Sequence, residues 1–108
     1  KDMIISGGEN IYSREVEEAL ATHSAVHDVA VIGVKDEYWG ETVCAIAVLS
    51  PGKAVSESEL IEHCKTQIAS YKKPKTVIFV EDLPRLPSGK INKVVLRQLY
   101  GVTSSKAQ

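Results

Sequence analysis

"VHDVAVIGVKDEYWGETVCAIAVL", residues 26–49, contains two β-branched, almost continuously apolar runs, Val26–Val34 and Thr42–Leu49, on either side of "KDEYWGE". Runs of this kind suit strands buried on both faces rather than strands with one wet face. They need cover above and below, and the neighbouring sequence offers it. Upstream, "SREVEEALATH" places Val16, Ala19, Leu20 and His23 on one helical face, with Ser13 expected as its N-cap. Downstream, Ser56 and Glu59 have capping-box spacing and open a helix whose Leu60, Ile61, Cys64 and Ile68 share a stripe.

Further out, "MIIS" and "NIY" flank Gly7-Gly8 and read as a hairpin. "TVIFV" supplies a third core strand, "EDLPRLPSGKI" is a loop, and "NKVVLRQLY" is a last helix stopped by Gly101. The order β-β-α-β-β-α-β-α predicts an α+β fold: a three-stranded central sheet with helices packed on it, plus a small N-terminal β-hairpin.

A chain of 108 residues, 44% hydrophobic and 25% charged, is expected to be a single globular domain. It lacks an initiator Met and reads as part of something longer, with "TSSKAQ" as a disordered tail. No apolar run reaches the ~18 residues of a membrane span, and no signal peptide is evident. A soluble cytoplasmic protein is the expectation. Cys44 and Cys64 lie inside apolar patterns without metal-ligand spacing, so reduced core thiols are expected, with a disulfide as the lesser alternative. His23, His27 and His63 have no nucleophile or ligand constellation around them, and no metal site is expected.

The net charge of −1 hides a division. Residues 1–71 carry 5 basic and 12 acidic side chains, net −7, and residues 72–108 carry 8 basic and 2 acidic, net +6. Such asymmetry fits an anionic partner for the C-terminal part, or a solvated basic face.

"LPRLPSGKINK", residues 83–93, superficially suggests a phosphate loop. Pro84 stands where the template needs its first glycine and has no N–H for an anion, and Ile91 stands where it needs a hydroxyl. Lys90 is left as a point charge on a loop stiffened by Pro84 and Pro87: either an ordinary exposed lysine or a group suited to phosphate and carboxylate oxygens. Gly7-Gly8-Glu9 is either a plain turn or closely approachable backbone. Trp39 and Tyr71 are either stacking platforms or satellite core residues.

Together, "KDMIISGGENIYSREVEEAL", "GVKDEYWGE", "YKKPK" and "LPRLPSGKINK" resemble the C-terminal domain of adenylate-forming enzymes of the AMP-binding superfamily. They are most similar to acyl- or aryl-CoA synthetases of the fatty-acid or 4-coumarate/benzoate type. "SGGENIY" looks like the CoA-ligase form of its motif, unlike that of luciferases or peptide-synthetase adenylation domains. Ser13 departs from the family, which usually has Pro at the helix start.

The resemblance implies that residues 1–108 form a single mobile lid, with hinge and hairpin in 1–12 and a tail in 101–108. Its partner would be the N-terminal AMP-binding domain of the same enzyme, which holds most of the ATP and Mg²⁺ contacts and the small-molecule carboxylic acid. Lys90 would be the adenylation lysine, with Lys93 as the secondary candidate, and Lys1 the hinge. CoA would pass Gly7, Gly8 and Glu9 and meet Trp39, Tyr71 and Lys73. Lys90 also ends a pattern resembling the target of a lysine acetyltransferase, a modification that removes its charge. On these terms the fragment alone is inactive. The alternative is a stand-alone nucleotide- or anion-binding domain without catalysis. Nucleic-acid binding is disfavoured by the net charge and by basic residues placed mostly in turns.

Overall fold

The computed structural model describes residues 2–101. Two long strands dominate it: β3 (Val26–Asp36) and β4 (Gly40–Leu49) pair antiparallel along nearly their whole length. Successive side chains of a strand point to opposite faces, so the apolar runs feed two cores at once. Val29, Val31, Val43, Ala45 and Ala47 belong to one cluster, and Ala30, Ile32, Cys44, Ile46 and Val48 to the other. The expectation of strands buried on both faces is met.

The first cluster is closed by α1 (Ser13–Ala21), through Val16, Ala19 and Leu20, and by α2 (Glu57–Lys65), through Leu60 and Cys64. The second is closed by α3 (Lys93–Tyr100), through Leu96, and by Leu83 and Ile91 of the segment before it. Leu20, Leu60 and Leu96 are almost wholly removed from solvent, so truncating any of them to alanine costs ~2–5 kcal/mol. Cys44 and Cys64 are buried, unbridged, and divided between the two clusters by the sheet.

The element order is as the sequence predicts, but the sheet is larger than three strands. The hairpin β1 (Met3–Ser6) and β2 (Glu9–Tyr12) joins it, because Ser6 pairs with Gly40 of β4. β5 (Thr76–Phe79) runs parallel to β4 over Cys44–Ala47. The result is a five-stranded sheet in which β4 carries β3 on one edge and both β1 and β5 on the other.

Four local expectations are corrected. Ser13 is not the N-cap of α1; Tyr12 is, with no side-chain cap, and Ser13 is the first helical residue and buried. That is the position where proline is favoured. His23 is not on the helix stripe, because α1 ends at Ala21 with Thr22 as C-cap; its ring meets His63 edge-on at 5.0 Å. Similarly α2 ends at Lys65, yet Ile68 still packs against the core beyond it. The Ser56–Glu59 capping box is present in both directions. Gly101 stops α3 as its position predicts, but it is buried rather than part of the expected tail, and its carbonyl accepts from the Lys35 N–H; residues 102–108 lie outside those described.

Candidate functional site

β1 and β5 share an edge of β4 without meeting. β1 takes it at Gly40 and β5 from Cys44 onward, with the Lys75 N–H bonded to the Val43 carbonyl at 2.8 Å. The notch between them, at Thr42 and Val43, opens into a groove of about 630 Å³. One wall is Ser6, Gly7, Glu9 and Trp39; the other is Tyr71, Lys73, Pro74 and Lys75, with Ile61 of α2 completing the lining. Five of the six residues implied as CoA contacts, Gly7, Glu9, Trp39, Tyr71 and Lys73, therefore meet in one place. Gly8 is exposed beside the groove and does not line it.

Trp39 is aimed by the β3–β4 turn. The Asp36 carboxylate accepts from the backbone N–H groups of Trp39 and Tyr38, both at 2.9 Å, and these bonds hold the Asp36 carboxyl below its ordinary range. The Trp39 carbonyl then accepts from the Gly7 N–H at 2.9 Å. Gly7 has φ +57, and a Cβ there would lie 2.6 Å from Trp39 Cε3; the ring rests where only glycine leaves room. Trp39 is 45% and Tyr71 51% exposed, which rules out satellite core roles for either.

Tyr71 sits in a 3₁₀ turn, Ser70–Lys72, just after α2. Lys72 leaves the groove and pairs with Glu15 of α1 at 2.8 Å. That hydrogen bond holds its ammonium pKa above the ordinary lysine value. Lys73 reaches only the Ser70 carbonyl, at 3.4 Å. Two ammonium groups, two exposed aromatic faces and the Thr42 hydroxyl make a lining suited to a phosphorylated nucleotide. No signal beyond the basic run marked Lys75, and none marked Thr42 or Ile61, because only the β4 edge brings them in.

Lys90 lies elsewhere, and no residue of 83–93 lines the groove. The segment is more ordered than a plain loop: Arg85 and Ile91 form an antiparallel bridge, the Leu86 N–H bonds the Lys90 carbonyl at 2.8 Å, and the Gly89 N–H bonds the Leu86 carbonyl at 2.8 Å. Pro87 follows the start of the turn and Gly89 takes φ +96, the glycine position of a three-residue hairpin loop. Arg85 fastens the tip, donating to the Gly89 carbonyl at 2.9 Å and pairing with Asp28 of β3. Lys90 is exposed and forms no ion pair among the described residues.

Lys93 differs in every respect. Its Nζ lies 2.5 Å from Asp2 Oδ2, 2.7 Å from Glu17 Oε2 and 3.2 Å from Ser13 Oγ, with the side chain 20% exposed. Arg97 adds a second pair to Asp2 at 3.1 Å. Burial alone would raise the Asp2 carboxyl, but hydrogen bonds from Lys93 and Ser13 and the charges of Lys93 and Arg97 outweigh it and hold the pKa below the ordinary value. Lys1, the implied hinge, lies outside the described residues.

The charge division of the sequence is partly closed within the molecule. Lys72, Arg85, Lys93 and Arg97 all pair with acids from residues 2–28. Among the described residues of the basic segment, Lys73, Lys75 and Lys90 form no ion pair, and two of these three line the groove. No cluster of three or more His, Cys, Asp or Glu side chains able to hold a metal occurs among the described residues. No helix there is long and apolar enough to cross a membrane.

Residues 15–90 match the family described as AMP-binding enzyme C-terminal domain, and the chain belongs to that family. It is 52% identical over 106 residues to the long-chain-fatty-acid–CoA ligase FadD13 of Mycobacterium tuberculosis, covering 98% of this chain and 21% of that protein. A solved Mycobacterium tuberculosis fatty acyl CoA synthetase superposes with a TM-score of 0.87 at 51% identity, over 94% of this chain and 20% of the other. ATP-bound MatB from Rhodopseudomonas palustris gives a TM-score of 0.88 at 40% identity, over 94% and 20%. The chain thus spans about a fifth of the length of the relatives it matches.

Proposed function

We propose that this domain is the mobile lid of an AMP-forming acyl-CoA synthetase, supplying the adenylation lysine from one side and part of the CoA site from another. One observation carries the proposal. The exposed Lys90 belongs to the hairpin that packs, through Leu83 and Ile91, on the α3 side of the sheet, whereas the groove takes Val43 and Ile61 from the opposite side. Features set on different sides of the sheet suit presentation one at a time, which a hinge rotation would accomplish.

In such an enzyme the acid attacks the α-phosphate of Mg-ATP to give acyl-adenylate and pyrophosphate, and the CoA thiol then displaces AMP. Lys90 enters for the first half-reaction, where its charge offsets the repulsion between carboxylate and α-phosphate and holds them in line. Lys73 and Lys75 offer charge, and Trp39 and Tyr71 flat faces, to the CoA nucleotide during the second. Gly7 and Gly8 leave backbone that a pantetheine arm can pass closely. The engagement of Lys93 by two carboxylates supports Lys90 over Lys93 as the mobile charge. Acetylation of Lys90 would abolish its role. The cytoplasm, with its ATP and CoA, is the proposed location.

The test uses the enzyme carrying this domain. Lys90→Ala lowers acyl-adenylate formation by about 10²–10³-fold or more, while supplied acyl-adenylate still passes to thioester. Equal loss of both half-reactions would overturn the assignment.

A further inference from the structure

The turn Ser70–Lys72 and the residue after it send neighbouring side chains in different directions. Tyr71 and Lys73 line the groove, whereas Lys72 crosses to α1 and meets Glu15 Oε1 at 2.8 Å, 57 residues away in sequence. The turn has little else to fix its tilt. None of its three side chains is buried, it has no side-chain cap, and its bonds, Lys72 N–H to the Ala69 carbonyl and Lys73 N–H to the Ser70 carbonyl, are local. Downstream, buried Pro74 and the Lys75 N–H anchor only the far end. The Lys72 ammonium also lies 5.6 Å from the centroid of the Tyr71 ring, within cation–π range. The pair is partly sheltered, with side chains 20% and 38% exposed, so salt screens it less than an open surface pair.

We propose that Glu15 and Lys72 are positioning residues for the groove. Their ion pair sets the tilt of the wall formed by Tyr71 and Lys73, so that the Tyr71 ring and the Lys73 ammonium face the ligand together. This rests on the groove being the site of the CoA nucleotide.

Trp39 is the single tryptophan of the chain and stands in the opposite wall, so its fluorescence reports occupancy directly. Titration of the 108-residue chain with adenosine 3′,5′-bisphosphate is expected to show Lys72→Gln and Glu15→Gln each weakening binding about five-fold. The double variant is expected to be no weaker than either single one, and Lys72→Arg to retain affinity. A merely structural pair would move the thermal midpoint and leave the dissociation constant alone. Unchanged affinity in both single variants, while Tyr71→Ala and Lys73→Ala weaken binding, would overturn the positioning role. So would tighter binding by Glu15→Gln, which would make Lys72 an extra cation rather than a tie. If Tyr71→Ala and Lys73→Ala also leave affinity unchanged, the nucleotide site itself is misplaced and the inference falls with it.

Discussion

Replacing Gly7 by alanine tests how the groove is built. The Cβ would lie 2.6 Å from Trp39 Cε3 and 2.8 Å from Cζ3, at a residue with φ +57. Gly8 is an internal control, with φ +84 and nothing within 4 Å of its Cβ position. Both alanines meet the left-handed backbone cost, ~1–2 kcal/mol. Only Gly7→Ala must also move the indole, which gives up its seat on Gly7 and its edge contact with Tyr38 at 4.8 Å, a loss of ~0.5–1.5 kcal/mol. Because the ring is half exposed it can swing outward, so the domain folds with an altered groove. The two variants should therefore differ by ~1 kcal/mol in urea unfolding, or roughly 4–8 °C in thermal midpoint. A shifted Trp39 emission is expected in Gly7→Ala alone. Equal stability and identical emission in the two variants would show that the indole does not rest on Gly7.

Lys93→Met should lower stability by ~1–3 kcal/mol, because Asp2 and Glu17 are left half-sheltered without their cation, whereas Lys90→Met should leave urea unfolding unchanged. In acid, the depressed Asp2 carboxyl contributes stability above its unfolded pKa near 3.8, and this is lost as pH falls through the lower folded value. Asp2→Asn should therefore flatten part of the stability loss below about pH 4, followed by thermal unfolding across pH. Burial, with the Glu15 charge adding to it, pushes the Cys64 thiol up to about 11, and burial likewise raises Cys44. Native thiol labelling at neutral pH should then proceed no faster than unfolding, as a time course with a thiol reagent would show. In the enzyme carrying this domain, Gly8→Leu should slow thioester formation while adenylation persists; unchanged CoA kinetics would remove Gly8 from the proposed path of the pantetheine arm.

The strands of residues 26–49 were legible because being buried on both faces leaves an unbroken apolar run, a local signal. The Ser56 cap was legible because its partner stands three residues away. The hairpin's attachment to β4 was not, since it depends on Ser6 meeting Gly40 across 34 positions, with no side-chain pattern to announce it. The groove follows the same division. Its aromatic and glycine residues stood out by type, but the notch that gathers them exists only because β1 and β5 each claim part of one strand edge. The charge asymmetry was visible, but how it is divided between internal pairs and free lysines was not, for the same reason. Sequence separates Asp2 from Lys93 by 91 positions, and the fold sets them 2.5 Å apart, so part of the excess positive charge is met internally while, among the described residues, Lys73, Lys75 and Lys90 form no ion pair.

Ser13 shows how far such internal pairing reaches. Proline at the first helical position is usually favourable, worth ~0.4–1 kcal/mol through the unfolded chain, and on that ground alone Ser13→Pro would be harmless. Here the Ser13 N–H and hydroxyl both donate to the Asp2 carbonyl, at 3.1 and 3.2 Å, and the hydroxyl oxygen accepts from Lys93 at 3.2 Å. Proline removes all three bonds at a residue only 1% exposed. Each is worth ~1 kcal/mol net, with a larger cost where a buried partner is stranded, so the losses exceed the gain and Ser13→Pro should destabilise by ~2–3 kcal/mol. It should also loosen the Asp2 segment, read as faster amide exchange at Met3 and Ile4. A variant as stable as the parent, with unchanged exchange, would mean that the Asp2–Lys93 pair holds this segment without help from Ser13.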